Sequence, residues 1–562
     1  MAKQLSAHDV IHQIFDSETS EEEMQDASCS EDVSEEGGTT ESATELETTD
    51  EEQSSSDEGP AEVTVSFWSK DGTLSWSSSP PMRQGRFSSE NVMKMKPGLT
   101  RYAISRIDDI QSCFNLFVTE PIENIVISMT NLEGRRVFKD KWKTVDSTDI
   151  QAYMGLLIMA GVYRSRNEST DSLWDADTGR AIFRATMSQQ TSHVLSRVIR
   201  FDNRETRHQR HQNDKLAPIR ELWDKWVERL PLIYNPGPAV TVDERLVAFR
   251  GRCRFKQYIP NKPAKYGIKL WTACDSKTSY AWNMQVYTGK SSSGVPEKNQ
   301  GQRVVLEMTE GLQGHTVVCD NFYTSYNLGK ELLRKKNTMV GTIRRNKTEL
   351  PPALVTNMNR DLFSTKFAFT DTHALVSYCP KKRKNVLLMS TLHKDACVST
   401  REDRKPEAIL YYNENKGGVD NLDKVTGTYS CKRKTLRWPM VLFFNILDVS
   451  AYNAFVAWME VNPGWKEGKT FRRRLFLEEL GKSMVTPLIQ RRQNIPRALP
   501  SATLVRDIQT PEPGPSVGTG RGEKRKRCTL CAPKDVKTGT VCFKCRAHIC
   551  KAHTLYCCQS CA

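Results

Sequence analysis

Four aspartates occupy positions from which carboxylates could bind a divalent metal ion. Asp243 lies within the apolar stretch TVDERL, Asp320 ends the short run HTVVCD, and Asp420 lies near the start of a predicted helix. Asp423 follows three residues later and therefore shares a helix face with Asp420. Mg²⁺ and Mn²⁺ prefer several oxygen ligands and keep positions open for phosphate oxygens. Two such ions can serve phosphoryl transfer by activating the attacking oxygen and stabilising the leaving one.

Spacing alone leaves other interpretations open, because a chain of 562 residues contains many acidic side chains. Asp320 could instead cap the helix predicted after its strand. Asp275 lies in the predicted hairpin turn CDSKTS, where aspartate is common. Asp448 lies in an apolar helix, where we expect a buried carboxyl group with hydrogen-bond partners.

A second concentration of possible metal ligands lies in residues 528–561, which hold eight of the 16 cysteines. Seven of these cysteines and one histidine form the pairs CTLC, CFKC, CKAH and CQSC, each with two residues between the ligands, as in tetrahedral zinc sites. Thiols of an intracellular chain stay reduced, which favours metal binding over a disulfide framework. The alternative is a set of eight reactive thiols without a metal. The spacing therefore predicts two Zn²⁺ ions.

A cross-brace would join the first cysteine pair to the third and the second pair to the fourth. Cys557 could replace Cys558 as a ligand, although only Cys558 keeps the two-residue spacing, and His548 is spare. Small zinc modules of this kind fold when the metal binds. The predicted ligands are Cys528, Cys531, Cys550 and His553 for one ion, and Cys542, Cys545, Cys558 and Cys561 for the other.

The proposed catalytic aspartates depend on a sheet that brings their strands together. Apolar and alternating runs predict strands in residues 238–251, 265–289 (two strands around a turn), 315–320 and 338–346, with a helix over 324–336. This β-β-β-β-α-β order predicts an α/β sheet of mixed direction. A ribonuclease H-like sheet places its first and fourth strands side by side and brings a late helix across their ends. On that fold the carboxylates would converge.

Composition and periodicity divide the chain into eight segments. The first is polar and acidic and cannot bury enough apolar surface to fold, so it is predicted to be disordered. Helical periodicity flanks the predicted sheet on both sides, and Pro439 suits the first turn of a buried apolar helix. The predicted segments are a disordered acidic region (1–95), an all-α segment (96–237), the first part of the ribonuclease H-like core (238–346), an insertion domain (347–410), the last part of the core (411–432), a second helical segment (433–506), a basic linker (507–527) and a cysteine-rich zinc domain (528–562).

The distribution of charge predicts a polyanionic partner. The chain has 81 Lys and Arg against 67 Asp and Glu, a net charge of +14. Residues 1–60 contain 19 acids and one lysine, which leaves 80 basic against 48 acidic residues in the remainder. A body this basic is expected to bind nucleic acid. The N-terminus does not resemble a secretory signal and no apolar run reaches 18 residues, so we expect an intracellular protein without a membrane partner.

Clusters of basic residues beside the acids predict contacts to DNA phosphates, although each side chain could equally belong to a solvated surface. The first cluster alternates along a stretch that we expect to be extended, so its side chains would share one face. The second flanks the third acid. The predicted DNA-binding residues are Arg250, Arg252, Arg254, Lys256, Lys262, Lys265, Lys432, Arg433, Lys434 and Arg437.

Three blocks of the sequence resemble the piggyBac transposase family. They are TVDERLVAFRGRCRFKQYIPNKPAKYGIKLW, VVCDNFYTS, and YYNENKGGVDNLDKV followed by SCKRKTLRWP. The resemblance runs from about residue 96 to the C-terminus. It implies a ribonuclease H-like catalytic domain with a triad of Asp243, Asp320 and Asp420, and Asp423 as an accessory acid. The cysteine-rich tail resembles the family domain that binds transposon ends.

The same resemblance implies cut-and-paste transposition by a homodimer on double-stranded DNA. It also implies roles in dimerisation and DNA binding for the two helical segments, residues 96–237 and 433–506. The transposon end would be nicked, the freed 3′ hydroxyl would form a hairpin, and the ends would later join TTAA target DNA. The basic run Lys524–Arg527 fits nuclear import, or else a linker that contacts DNA. Serines and threonines in the acidic segment often precede an acid by three residues, which suits an acidophilic kinase.

Two other functions stay open at this point. The first is a domesticated protein that binds old transposon ends without cutting them. The second assigns the cysteine-rich tail to a ubiquitin-ligase or histone-reading module. The basic run that leads directly into the tail fits DNA better.

Overall fold

The computed structural model describes residues 65–81, 93–260, 262, 264–289, 297–356, 358–510, 526–528, 530–531, 536–538 and 548–553. These residues form a mixed α/β fold built on one sheet of 11 strands. The predicted disorder of residues 1–64 lies outside the described residues, as does most of the predicted basic linker.

The strands come from widely separated parts of the chain. Those of the main sheet are rich in Val, Thr and aromatic residues, which suit a pleated, half-buried surface. In chain order the 15 described strands are β1 (Ser66–Trp68), β2 (Ser75–Ser77), β3 (Gly98–Leu99), β4 (Tyr234–Asn235), β5 (Ala239–Ala248), β6 (Lys256–Tyr258), β7 (Tyr266–Asp275), β8 (Ala281–Val286), β9 (Thr316–Cys319), β10 (Thr338–Thr342), β11 (Thr365–Phe369), β12 (Ala374–Lys381), β13 (Lys384–Ser390), β14 (Lys526–Arg527) and β15 (Lys537–Thr538). β3 pairs with β4 and β14 pairs with β15 outside the main sheet.

Several helices begin at a polar residue that caps their first turn. Asp109, Asp146 and Ser188 each accept a hydrogen bond from the backbone of the third helical residue, which satisfies a donor that the helix leaves unpaired. The helices are α1 (Arg101–Ile104), α2 (Ile110–Asn115), α3 (Glu120–Phe138), α4 (Ser147–Val162), α5 (Thr170–Leu173), α6 (Ala181–Thr186), α7 (Gln189–Val198), α8 (Arg207–His211), α9 (Arg220–Val227), α10 (Arg229–Ile233), α11 (Gln300–Met308), α12 (Tyr326–Arg334), α13 (Pro352–Val355), α14 (Glu407–Asn415), α15 (Gly418–Thr428), α16 (Trp438–Val461), α17 (Arg472–Gln490) and α18 (Leu499–Gln509).

Five neighbouring strands, in the order β8-β7-β5-β9-β10, form the predicted mixed sheet. β7 pairs antiparallel with both β5 and β8, whereas β9 lies parallel to both β5 and β10. The five strands predicted along the chain, and the helix α12 between β9 and β10, are thus confirmed. Two elements were not predicted. They are the short strand β6, which pairs with the start of β7, and the helix α11 between β8 and β9.

Residues 347–410 extend this sheet by three strands. β13 pairs antiparallel with β10, and β12 and β11 follow in turn. Val376, Tyr378 and Leu388 of these strands form a separate apolar cluster with Ile409 of α14. The boundaries of the insertion domain stay a prediction, but its strands share a backbone hydrogen-bond network with the core.

The prediction of disorder is wrong for residues 65–81. β1 and β2 form an antiparallel hairpin around Asp71 and Gly72, and Gly72 takes a left-handed φ of 67° that suits glycine. Trp76 is fully buried and lies edge-on to Tyr326, with ring centroids 6.0 Å apart. β2 also pairs with β11. One buried aromatic side chain and an Asp-Gly turn therefore fix a segment whose serine-rich composition indicated disorder.

The helix α16 forms much of the core between the sheet and the other helices. Pro439 lies in its first turn, as predicted. By length and composition this helix could cross a membrane, but 83% of its apolar window is buried inside the protein, as in a core helix. The two predicted helical segments pack together where α4 crosses α17. A Cβ atom added to Gly155 there would lie only 2.9 Å from the Cβ of Met484.

Candidate active site

Neighbouring parallel strands place Asp243 and Asp320 side by side. In the β5–β9 pairing, the residues that precede the two aspartates lie directly opposite each other. Oδ1 of Asp320 accepts a hydrogen bond from the backbone N–H of Phe322 at 2.8 Å. Oδ1 of Asp243 accepts one from the N–H of Glu244 at 2.7 Å. The expected adjacency of the first and fourth predicted strands is therefore confirmed.

The alternative role of Asp320 as a helix cap is wrong. The N-cap of α12 is Ser325, whose hydroxyl accepts from the N–H of Leu328. The backbone carbonyl of Asp320, not its carboxylate, accepts the hydroxyl of Thr324 at 2.8 Å. The turn NFYTS thus shapes the end of β9, and helix α12 begins without the carboxylate of Asp320.

Helix α15, which carries Asp420, lies alongside β5 and is fixed there by short contacts. Gly418 lies so near Thr241 that an added Cβ atom would sit 2.8 Å from its Oγ1. Nδ2 of Asn421 donates to Oγ of Ser279 at 2.9 Å, which ties the helix to the turn between β7 and β8. Any larger residue at position 418 would push the helix and its carboxylate away from the sheet.

A buried ion pair joins α15 to β5 two residues beyond Asp243. Nε of Arg245 donates to Oδ1 of Asp423 at 2.5 Å, and Nη2 donates to Oγ1 of Thr426 at 3.0 Å. The Arg245 side chain is 3% exposed and that of Asp423 is 33% exposed. Asp423 therefore anchors the helix that carries Asp420, while its role as an accessory acid in catalysis stays a prediction.

Lys262 lies among the predicted catalytic acids. Its Nζ is 3.3 Å from Oδ1 of Asp420, with 20% of the lysine side chain and 70% of the aspartate side chain exposed. Burial acts to lower the pKa of Lys262, but the surrounding negative charge, beginning with that of Asp243, raises it overall. In this structure the ammonium group contacts a carboxylate, and the predicted phosphate contact of Lys262 stays a prediction.

Burial and like charge raise the pKa of Asp243 to about 7. Burial is the largest cause, the charge of Glu244 comes next and that of Asp320 adds to it, while Lys262 acts in the opposite direction. The pKa of Asp320 is also raised, again mainly by burial. Carboxylates crowded in this way favour a bound cation, because the cation relieves their repulsion. An all-oxygen donor set of this kind fits Mg²⁺ or Mn²⁺.

Glu244 is a further acid at the site that the sequence analysis did not select. Its Oε2 lies 3.4 Å from the Tyr323 hydroxyl and 3.9 Å from Nζ of Lys269. Successive residues of a strand point to opposite faces, so its position directly after Asp243 favoured setting it aside. The structure nevertheless places its charge near both Asp243 and Asp320.

The two rival aspartates have structural partners, as expected from the sequence. Oδ2 of Asp275 accepts from the N–H and the hydroxyl of Thr278, both at 2.7 Å, and thereby shapes the β7–β8 turn. Asp448 accepts from the hydroxyl of Ser430 at 2.6 Å and from the N–H of Cys431 at 2.8 Å. Burial raises the pKa of Asp448 to about 6.

The first predicted basic cluster lies mostly in a loop. β5 ends at Ala248 and the chain bends at Gly251, where an added Cβ atom would lie 2.4 Å from the ring of Phe249. The expectation of one continuous extended stretch is therefore wrong, while the common face predicted for its basic side chains stays a prediction. Lys256 begins β6, and the exposed members of the predicted set are Arg250, Arg252, Arg254, Lys265 and Lys434.

Three cations of the second cluster bind backbone carbonyl groups instead of facing solvent. Nζ of Lys432 donates to the carbonyl at the end of β5. Arg433 donates to carbonyl oxygens of residues 165–168, and Arg437 to those of residues 196–199. The last contact is favourable, because a cation at a helix C-terminus satisfies carbonyls that the helix leaves unpaired. These three side chains hold helices and strands together, and their predicted DNA contacts stay untested.

The cysteine-rich tail contains one cluster of possible metal ligands within the part of the chain that the structure describes. One ligand atom each from Cys528, Cys531, Cys550 and His553 lies within 4.8 Å of all the others. Sγ of Cys531 and Sγ of Cys550 are each 3.4 Å from Nδ1 of His553. Tetrahedral zinc would place such atoms roughly 3.5–3.8 Å apart, given its bond lengths to sulfur and nitrogen. The donor set and the spacing of the first predicted site therefore fit Zn²⁺.

The backbone also supports this cluster. The N–H of Cys550 donates to Sγ of Cys528 at 3.2 Å, and this contact lowers the pKa of the Cys528 thiol. A lowered pKa favours the thiolate, which is the form that binds metal. The ligands predicted for the second ion, Cys542, Cys545, Cys558 and Cys561, lie outside the described residues.

The family model described as Transposase IS4 matches residues 109–455, which include all four aspartates. The chain belongs to this transposase family, of the piggyBac type. The chain is 34% identical to the protein in a cryo-EM structure of a piggyBac transposase synaptic complex with hairpin DNA. The two folds superimpose with a TM-score of 0.69 over 83% of this chain and 100% of the other.

Two curated human proteins are also similar to this chain. PiggyBac transposable element-derived protein 3 is 22% identical over 387 residues, which cover 64% of this chain and 63% of the human protein. PiggyBac transposable element-derived protein 2 is 21% identical over 375 residues, which cover 61% and 60% respectively. The chain thus spans less than two thirds of the length of either relative.

Proposed function

We propose that this transposase cuts and joins DNA by metal-dependent phosphoryl transfer. The observation that carries the proposal is the placement of Asp243 and Asp320 on adjacent strands beneath the helix that bears Asp420. Two antiparallel and two parallel pairings in the order β8-β7-β5-β9-β10 support a ribonuclease H-like core. The alignment with the structure of a synaptic complex supports the same chemistry.

Asp243, Asp320 and Asp420 would hold Mg²⁺ or Mn²⁺, which when bound would supply an activated oxygen nucleophile and stabilise the leaving oxygen. The charges of Glu244 and Asp320, which together with burial raise the pKa of Asp243 to about 7, support a bound cation beside these strands. Arg245 and Asp423 would keep α15 in place while DNA binds. The exposed arginines between β5 and β6 would contact DNA phosphates and position the strand.

The proposed reaction is cut-and-paste transposition. Water would nick a transposon end and free a 3′ hydroxyl, which would attack the opposite strand to form a hairpin and release the flanking DNA. A second water would open the hairpin, and the regenerated 3′ hydroxyl would then attack target DNA at TTAA. A homodimer would bring two ends together, and the similar piggyBac transposase, whose structure is that of a synaptic complex with hairpin DNA, supports this assembly. We place the transposase in the nucleus, since the run Lys524–Arg527 suits import.

The proposal includes two Zn²⁺ ions in the cysteine-rich tail. The clustered atoms of Cys528, Cys531, Cys550 and His553 support the first. The cysteine spacing of CFKC and CQSC supports the second, in a cross-brace with the first. Such a metal-stabilised tail would bind transposon ends.

Cleavage can be tested on a duplex that carries the inverted repeats flanking the coding sequence, bordered by TTAA, in the presence of Mg²⁺. Wild type should yield nicks and hairpins on a denaturing gel. Asp320→Asn should abolish both and retain DNA binding, because the amide oxygen can still accept from Phe322. Asp361→Asn is a matched control, since Asp361 is an exposed acid outside the site.

Binding without cleavage by wild type and both variants would overturn the proposal in favour of a domesticated DNA-binding protein. Cleavage that persists in Asp320→Asn would show that the aspartate cluster is not the catalytic site. Zinc content provides a separate test of the tail. Wild type should contain two zinc ions per chain and Cys528→Ser one, while Cys397→Ser, at an exposed cysteine far along the chain, should keep both.

A further inference from the structure

Two tyrosines at the edge of the sheet expose their rings as a pair. Tyr258 in β6 and Tyr266 in β7 lie directly opposite each other in an antiparallel pairing. Their ring centroids are 4.8 Å apart and their planes are tilted by 42°. Tyr258 is 48% exposed and Tyr266 is 43% exposed. Cross-strand aromatic pairs stabilise hairpins, but this pair also leaves a large aromatic surface open to a ligand.

The surroundings of the tyrosine pair are strongly cationic. Residues 246–274 contain seven lysines and arginines and no aspartate or glutamate. Nζ of Lys256 lies 6.0 Å from the centre of the Tyr266 ring, and Arg250 and Lys265 are exposed nearby in sequence. Exposed aromatic rings within a positive surface are the combination by which proteins bind single-stranded nucleic acid, with bases stacked on rings and phosphates held by cations.

The same hairpin connects the tyrosine pair to the acidic site. Lys262, in the loop between β6 and β7, contacts Asp420. Strand β7 runs on from Tyr266 to Thr272, which pairs with Asp243. Six residues of strand span about 20 Å, which is roughly the length of six base-pair steps of DNA. One DNA strand can therefore reach both the acids and the tyrosines.

We propose that Tyr258 and Tyr266 form a stacking platform for an unpaired base of the DNA strand that enters the active site. The proposal rests on the proposed function for the identity of the nucleic acid. A duplex hides the faces of its bases, whereas a strand end or a hairpin tip presents them. The tyrosine pair therefore favours opened DNA over fully paired DNA, whereas phosphate contacts alone do not distinguish the two so sharply.

The test uses the full-length protein without divalent metal, so that binding is measured apart from cleavage. The probe is a single strand of about 12 nucleotides that contains 2-aminopurine, whose fluorescence falls on stacking. Tyr258→Ala and Tyr266→Ala should each weaken binding about 5- to 100-fold and restore fluorescence. Tyr258→Phe keeps the ring and should behave as wild type. Trp68→Ala, at an aromatic residue that is 61% exposed on β1, is the matched control.

Three results would overturn the platform. They are wild-type affinity in both alanine variants, equal losses in Tyr258→Phe and Tyr258→Ala, and equal losses on single-stranded and fully paired DNA. Equal losses on both kinds of DNA would indicate that the tyrosines only stabilise the β6–β7 hairpin of the protein. Cleavage in Mg²⁺ tests the proposed function separately, because a protein that quenches 2-aminopurine but never cuts would keep the platform and lose the transposase activity.

Discussion

The buried ion pair between Arg245 and Asp423 allows a prediction in which the two partners are not equivalent. Arg245 is 3% exposed and Asp423 is 33% exposed. Removing the aspartate leaves a guanidinium group buried without its main partner, and such losses cost about 3–5 kcal/mol. Removing the arginine leaves a carboxylate that water already reaches. That loss is limited to the charge-assisted hydrogen bond and should cost about 1.5–3 kcal/mol.

Asp423→Ala should therefore destabilise the protein more than Arg245→Met, whose side chain fills much of the same space without a charge. Adding Arg245→Met to Asp423→Ala should then raise stability, because the unpaired buried charge disappears. The measurement is a double-mutant cycle of urea denaturation midpoints at pH 7. The expected order of stability is wild type, Arg245→Met, the double variant and Asp423→Ala.

A double variant less stable than Asp423→Ala would refute this reasoning, since the arginine would then stabilise the fold without its aspartate. Cleavage offers a second readout, because α15 also carries Asp420. A displacement of about 1 Å at a catalytic group can cost about 100-fold in rate. Arg245→Met should consequently slow cleavage far more than it weakens DNA binding. Equal losses of rate and affinity would point to general unfolding instead.

Three further perturbations have defined outcomes. Burial raises the pKa of Asp448 to about 6, so the folded state retains this proton to higher pH than the unfolded chain. The free energy of unfolding should therefore fall by about 2–3 kcal/mol as the pH rises from about 4 to 6. Asp448→Asn should remove this pH dependence, as measured by urea denaturation at several pH values. An unchanged pH dependence would contradict the raised pKa of Asp448. Trp76→Ala removes a fully buried ring and should release the β1–β2 hairpin, at a cost of about 3–5 kcal/mol. Limited proteolysis should then cut the hairpin, while Trp68→Ala stays protected, and equal protection in both variants would count against the docking. Gly418→Ala places a Cβ atom 2.8 Å from Oγ1 of Thr241 and should destabilise by about 1–3 kcal/mol, a loss that Thr241→Ala should partly restore; a more stable Gly418→Ala would disprove the close contact.

The sequence was sufficient for those strands whose apolar runs are bounded by turn residues. Stretches such as HTVVCD and TMVGT are short apolar runs bounded by polar residues, and β9 and β10 form where they were predicted. The helix α11 was missed because its nine residues include Gly301 and two adjacent valines, which weaken the helical pattern. The hairpin of residues 65–81 was missed because composition averages over a long window, whereas one buried tryptophan and its turn decide the structure.

The basic residues show most clearly what sequence reasoning cannot reach. Arg433 and Arg437 carry the same charge as Arg250, yet they donate to backbone carbonyls about 240–270 positions away in the chain. Only the packing of distant helices determines which cation meets a carbonyl and which meets solvent. The ion pair of Arg245 with Asp423 is of the same kind, since the partners lie 178 residues apart.

The pairing of β2 with β11 also determines how long β2 must wait for its partner strand during synthesis. Ser77 is synthesised about 290 residues before its partner Phe369. At about 5–20 residues per second, the ribosome needs roughly 15–60 s to make the intervening chain. During most of that time Trp76 lacks both of these partners, because Tyr326 and then the edge of β11 are made only near its end. The first part of the sheet to be translated is therefore the last that can dock, and until then it remains exposed to chaperones and proteases.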